Sequence, residues 1–238
     1  MGDFMRKPKY YALWIFHFIR WVLILFLGTS IFFVVLYRWV PVPCSPLMFI
    51  RLGQQIVHGE SPKLKHQWVS ADSISPYLPL AVWASEDQNF FNHYGFDFAQ
   101  IKIALKEHAN KKRERGASTI SQQTAKNVFL WPSHSWFRKG LEVYFTILIE
   151  TFWSKERIME VYLNTIEMGD GIYGAEAVAL EHFGVSAYKL TKNQCAMIAV
   201  SLPNPRRMDS ANPSSYMRRR QSWVLQQMRW IGSYPPKK

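Results

Sequence analysis

The sequence predicts a mostly α protein, a helical domain on a single N-terminal transmembrane helix. Three observations lead there. Trp21 to Tyr37 is an uninterrupted run without charge. Downstream, segments with helical start and stop signals succeed one another from Ser75-Pro76 to Gly232. Among them no strand pair and no internal repeat is legible.

The membrane segment comes first. A bilayer core needs roughly 20 apolar residues as helix, and Trp21 to Val40 nearly supplies them, with Arg38 close enough to the end to snorkel. Tyr10, Tyr11, Trp14, Trp21, Tyr37 and Trp39 provide interfacial aromatics at both ends. Arg6, Lys7, Lys9 and Arg20 precede the span, which puts the N-terminus in the cytoplasm, although Arg38 and Arg51 blunt the contrast. A cleaved signal peptide is the competing reading. The apolar stretch is too long for one and no small-x-small cleavage site follows, so an uncleaved anchor is favoured. The expected organisation is a short basic tail over residues 1–11, an anchor over 12–40, a linker over 41–70 and a helical domain over 71–238.

Each element of the domain has a local reason. Pro41, Pro43 and Pro46 make a stiff exit, and residues 51–75 read as linker. Ser75-Pro76 starts a buried helix from Tyr77 to Glu86. Asp97 can cap a helix from Phe98 to about His108, followed by the basic loop Lys106 to Gly116. Gln122 to Phe129 is a short helix. Ser135 to Phe152 is a long one, apolar nearly all round from Val143 onward, which places it at the centre of a core. Ser154 caps the next helix, with Asn164 near its end. Gly169, Gly171 and Gly174 define a loop, Ala175 to Phe183 is helical, and Gly184 stops it. Thr191 and Gln194 have capping-box spacing, and Ser214 to Ile231 is a last basic helix stopped by Gly232.

A formal charge of +12, from 29 basic and 17 acidic side chains, favours anionic partners. Two cysteines exclude a disulfide framework. Cys44 lacks a good lipidation context, and Cys195 reads as a small core residue. The runs Lys111-Lys112-Arg113 and Arg218-Arg219-Arg220 lack the interleaved aromatics of a nucleic-acid binder and read as facing lipid headgroups or solvent, so no nucleic-acid partner is expected.

The chemistry concentrates in two segments. One is Glu86-Asp87-Gln-Asn-Phe90-Phe-Asn-His93-Tyr-Gly95-Phe-Asp97; the other, thirty residues after Glu86, is Gly116-Ala-Ser118-Thr119-Ile-Ser-Gln122-Gln123-Thr-Ala-Lys126-Asn127. Val82, Trp83, Phe90 and Phe91 would desolvate Glu86 and raise its pKa, as suits a base working near neutrality, although most glutamates at helix ends merely pair with a lysine. Asp87 and His93 read as positioning residues and Asp97 as a cap. Glu142 lies four residues after Arg138, either a simple helical ion pair or a second active-site carboxylate beside cations. Lys139 projects about 100° from Arg138, so one of the two should reach an anion more directly. Ser118, Gln122, Gln123, Lys126 and Asn127 would complete a polar wall. The glycine loop lacks the strand and helix of a dinucleotide site; a turn that orders Asn164 and Tyr173 is the better reading. No cage of Asp, His or Cys at metal-ligand spacing is evident.

These segments resemble the first two motifs of the peptidoglycan glycosyltransferases, the lysozyme-like enzymes that polymerise lipid II. Arg138-Lys139-Gly-Leu-Glu142 is similar to the third motif. Ser154-Lys155 through Tyr162-Leu163-Asn164 to Gly169-Asp-Gly171-Ile-Tyr-Gly174 is similar to the fourth, and Leu190-Thr191 through Ala196 to Leu202-Pro203-Asn-Pro205 to the fifth. The resemblance runs from about Leu80 to Pro205 and looks like the monofunctional form. It departs from the family pattern at Gln194, where glutamate is usual, and at Thr146, where alanine is common.

The resemblance implies a lysozyme-like catalytic domain and an inverting transfer. Glu86 would deprotonate the acceptor 4-hydroxyl, and Glu142 would assist the leaving group. Ser118, Gln122, Gln123, Lys126, Asn127, Arg138 and Lys139 would hold substrate and pyrophosphate. Asp87, Phe90, His93, Gly95 and Asn164 would position them. It implies lipid II, a polyprenyl-pyrophosphate-linked glycan and membrane lipids as partners, with cell-wall synthesis and division proteins as further candidates. No tightly bound cofactor is expected, with Mg or Mn at the pyrophosphate as an option, and the domain should lie on the periplasmic side of the inner membrane. A peptidoglycan-cleaving hydrolase and an inactive scaffold are the alternatives. The cations near Lys126 argue against the first and the intact carboxylates against the second.

Overall fold

The computed structural model describes residues 7–109 and 118–236; the basic run at 111–113 and Gly116 lie outside the described residues. The chain divides into two units at Val40 and Pro41. The first is a single helix, α1 (Lys7–Leu36), whose stretch Tyr11–Leu36 is long and apolar enough to cross a membrane. It runs unbroken through Arg20.

The second unit begins earlier than the expected linker allows. Pro46–Val57 is a helix, α2, with Ser45 at its N-cap and Pro46 in its first turn, where the missing N–H costs nothing. Three prolines and Gly53 disguise it as an extended exit. The segment 41–70 therefore belongs to the compact domain.

The expectation of no strands is also corrected. Lys65–His66 (β1) pairs in parallel with Ile172–Tyr173 (β3), which pairs antiparallel with Glu167–Gly169 (β2). Strands of two or three residues cannot display a period of two, so the pattern carries no trace of them.

The helices follow their caps. They are α3 (Tyr77–Glu86), α4 (Phe98–Ala109), α5 (Ile120–Phe129), α6 (Trp136–Phe152), α7 (Lys155–Thr165), α8 (Ala175–Phe183), α9 (Lys192–Ser201) and α10 (Ser215–Ile231). Ser135, Ser154, Thr191 and Ser214 each accept a hydrogen bond from the third backbone N–H of their helix. Gln194 returns the favour to Thr191 N at 2.8 Å, so glutamine completes this capping box without a carboxylate. Asp97 Oδ1 accepts from Gln100 N at 2.9 Å.

The core is built on α3, whose residues Leu78 to Ala84 are all buried where it packs against α9 and α10. A second layer places α5 against α6 and α7, with Phe129 and Phe145 stacked at 4.5 Å. The expectation that α6 is central fails. Val143 and Ile147 remain exposed at 37% and 52%, because only the Phe145 and Ile149 face is covered.

One turn beyond α3 fixes how the chain passes α6. Gly95 has φ +83°, and a Cβ there would lie 2.7 Å from Thr146 Cγ2 and 3.1 Å from Glu150 Cγ. Gly95→Ala should cost about 1–3 kcal/mol, read as a lower thermal midpoint, and adding Thr146→Ala should restore only the steric share. Gly140→Ala, in a helix interior with open space around its Cα, should instead stabilise. Equal midpoints for the Gly95 variant and the parent would contradict this account.

Candidate active site

Glu86 ends α3, and its Oε2 accepts a hydrogen bond from Gln123 Nε2 at 3.0 Å. Burial raises its pKa. The Gln123 hydrogen bond and the charges of Arg220 and Lys126 oppose that, while Asp87 reinforces it. The result is a carboxyl held above the ordinary glutamate range, as the aromatic surround of the sequence led one to expect. Trp83 and Phe91 pack edge to face at 4.9 Å beside it.

Asp87 is buried and turned away from Glu86. It accepts from Ile120 N at 3.1 Å and meets His93 Nε2 at 3.1 Å. His93 is thereby tied to Asp87. Thr119 Oγ1 donates to the Gly95 carbonyl at 2.7 Å, closing the same turn from the other side. Phe90 is fully buried, with the Lys155 ammonium 4.6 Å from its ring centre.

The start of α5 is thus fastened to the end of α3, and the polar face of α5 follows. Gln123 meets Glu86, and Lys126, three residues on, lies one turn further along that face. Gln122 has a different job: its Oε1 accepts from Thr119 N at 3.0 Å in a capping box, so its carbonyl is committed to the helix end. Ser118 is exposed just ahead of that cap, and Asn127 is buried on α5.

On α6, Glu142 is buried and clasped from two sides. Arg138 Nη1 donates to Oε2 at 2.5 Å, and Lys139 Nζ pairs with Oε1. Arg138 and Lys139 start 100° apart on the helix, yet their long side chains converge on one carboxylate. They differ in exposure, since the Lys139 side chain is 40% exposed and that of Arg138 only 10%. Arg138 Nε is spent on the Ser133 carbonyl at 2.6 Å. Lys139 is therefore the more available of the two for an incoming anion.

Lys126 is in electrostatic reach of both carboxylates. Burial lowers its pKa; Glu142 and then Glu86 push it back up, while Arg138 and Lys139 push it down. One cation thus feels both the base candidate and the Glu142 cluster.

Two side chains to which the sequence reading gave no role of their own, one of them quoted only within the fourth motif, also bear on Glu86 and Gln123. Arg220 of α10 acts on Glu86 through its charge and stacks on Trp223, with Cζ 3.8 Å from the ring centre. It belongs to the run assigned to headgroups or solvent, and only the packing of α10 on α3 reveals it. Tyr162 of α7 donates to Gln123 Oε1 at 3.2 Å. Asn164, by contrast, is far from reactive: its amide exchanges hydrogen bonds with Val69 N and O at 2.9 and 3.0 Å and splices the incoming chain onto α7. Gly174 lies against it, where a Cβ would meet the Asn164 carbonyl at 2.6 Å.

Two other groupings can be set aside. His182 Nδ1 meets Ser210 Oγ at 2.7 Å and Asp209 Oδ1 at 3.5 Å; with both on one ring nitrogen, no proton relay forms. Among the described residues, no group of three or more His, Cys, Asp or Glu is placed to hold a metal.

A base candidate and a second, cation-clasped carboxylate, with a lysine in electrostatic reach of both, suit transfer to a hydroxyl with an anionic leaving group. Comparison with known proteins agrees. Residues 53–229 match the family model described as transglycosylase. A biosynthetic peptidoglycan transglycosylase of Bacteroides thetaiotaomicron is 58% identical over 222 residues, covering 93% of this chain and 90% of the relative. Proteins of the same description from Bdellovibrio bacteriovorus and Shigella sonnei are 51% and 48% identical, covering 87% and 93% of this chain and 84% and 94% of theirs. Glu86, Lys126 and Glu142 all fall within the matched span, and the chain belongs to the transglycosylase family.

Proposed function

We infer that this chain is a peptidoglycan glycosyltransferase that polymerises lipid II into linear β-1,4 glycan strands and releases polyprenyl pyrophosphate. The observation that carries the reading is the division of labour between two carboxylates. Glu86 is the desolvated one, held above the ordinary range and free to take a proton. Glu142 has both oxygens occupied by cations and is the organiser of a positive cluster.

In this reading Glu86 removes the proton from the acceptor sugar's 4-hydroxyl. The oxygen attacks the donor's anomeric carbon through an oxocarbenium-like transition state with inversion. The C–O bond to pyrophosphate breaks, and the leaving group departs as an anion. It needs positive charge rather than a general acid, which Lys126, Lys139 and Arg138 supply. A hydrolase expelling a neutral sugar would gain nothing from that cluster. Mg or Mn at the pyrophosphate is an option that would add positive charge to the same leaving group.

The surroundings suit a lipid-linked substrate. Trp136 and Phe137, beside the cations on α6, are 90% and 71% exposed. The apolar N-terminal helix would hold the enzyme at the membrane, with the domain on the periplasmic face of the inner membrane. Cell-wall synthesis and division proteins are the further partners that this location offers.

The test is polymerisation of labelled lipid II by the detergent-solubilised full chain. Glu86→Gln, still folded, should lose about 10²–10⁴-fold in rate. A folded variant with the parental rate would overturn the assignment, and cleavage of preformed peptidoglycan without polymer would shift it to the hydrolase. The same variant should be more stable than the parent. Because the folded pKa of Glu86 is raised, the penalty for its charge is absent below the unfolded value and grows as pH rises through the folded one. The stability gain of Glu86→Gln should therefore widen toward alkaline pH and vanish in acid.

The rate should follow a bell-shaped pH profile. The acid limb lies above the ordinary glutamate range, where Glu86 protonates. The alkaline limb lies below the ordinary lysine range, where Lys126 loses its charge. Lys126→Arg should move only the alkaline limb, upward; an unmoved limb would remove Lys126 from the reaction.

A further inference from the structure

Tyr162 is fully buried on α7, and its hydroxyl donates to Gln123 Oε1 at 3.2 Å, while Gln123 Nε2 donates to Glu86 Oε2 at 3.0 Å. We propose that Tyr162 is a positioning residue for the base: through the Gln123 amide it fixes the donor that aims Glu86 and sets its acidity. The proposal deepens the reading of Glu86 as the base and rests on it.

A primary amide has a carbonyl at one corner and an NH₂ at the other. Turned the wrong way, Gln123 would present its carbonyl to an ionised Glu86, two acceptors facing each other. A Phe at position 162 would fill the same volume, so packing alone does not account for the hydroxyl. By donating to the carbonyl, Tyr162 satisfies a polar atom that would otherwise be stranded. It also polarises the amide, so that the opposite N–H binds the carboxylate more strongly. The phenol stays protonated, because burial and then the charges of Glu86 and Asp87 hold its pKa well above the usual range. It therefore serves the amide as a donor throughout the working pH range.

The chain of bonds crosses three elements. α7 carries Tyr162, α5 carries Gln123, and α3 ends at Glu86. α5 packs on α7, which keeps the tyrosine in register with the amide. Losing the phenolic hydroxyl should weaken the Gln123 hydrogen bond, which lowers the pKa of Glu86, and so let that pKa rise further.

The experiment uses the full chain in detergent with two readouts. One is carbon-13 titration of the Glu86 carboxyl without substrate, and the other is the acid limb of kcat/KM for lipid II polymerisation. Tyr162→Phe should raise both by about half to one pH unit. In a Gln123→Ala background the same substitution should move neither. Replacing Tyr162 by 3-fluorotyrosine, a near-isosteric and stronger donor, should shift both the other way, which keeps the test open should the Phe variant fold poorly. An unmoved Glu86 titration in folded Tyr162→Phe would overturn the proposal, as would an equal shift with and without Gln123. A shifted titration with an unmoved rate limb would uphold the positioning role and remove Glu86 as the base.

Discussion

Asp87 joins the end of α3 to the start of α5, and the geometry of the site descends from that junction. Its carboxylate takes the Ile120 backbone N–H, an otherwise orphaned donor of the first turn, and the imidazole of His93. Each buried donor left without it would cost about 1–3 kcal/mol. More importantly, α5 would lose its angle to α3. Gln123 and Lys126 lie on the face that this angle turns toward Glu86. The Gly95 turn supports the junction from outside, where Thr119 holds its carbonyl and Thr146 leaves no room for a side chain.

From this frame follow two carboxylates in opposite circumstances. Glu86 is desolvated, with neutral Gln123 as its hydrogen-bonding neighbour and cations only at a distance, so a proton is a reasonable thing for it to accept. Glu142 is buried too, but Arg138 and Lys139 compensate it directly. It holds two cations that would otherwise repel each other and Lys126. Separating a base from a charge organiser in this way is how one site can take a proton and stabilise a departing anion together.

Much of the fold was legible because its helices carry their own punctuation. Ser135, Ser154, Thr191 and Ser214 cap where their spacing implied, and Gly184 stops α8 in the left-handed conformation. What escaped has a common cause: it depends on partners distant in sequence. The strands are too short to show a period and exist because Lys65 meets Gly171 across the fold, with N···O of 2.8 Å. α2 hid behind prolines and a glycine. The apolar run of α6 looked central, yet a helix covered on one face reads much like one covered on all. That Glu86, Gln123 and Lys126 come together follows from their own helix faces, whereas Gln122 was not separable from Gln123 until the cap took its carbonyl. Arg220 and Tyr162 arrive from α10 and α7; the arginine reads locally as solvated, and the motif that contains Tyr162 does not say what its hydroxyl meets.

In the proposed reading, pyrophosphate lies against Lys126 and the Glu142 cluster while the reacting sugar faces Glu86. A structure of the full chain with a non-reactive lipid-linked sugar pyrophosphate tests it most directly. Phosphate oxygens should contact Lys126 and Lys139, with the anomeric carbon turned toward the Glu86 carboxyl. Phosphates seated on the exposed arginines of α10, with Glu86 away from the sugar, would contradict it.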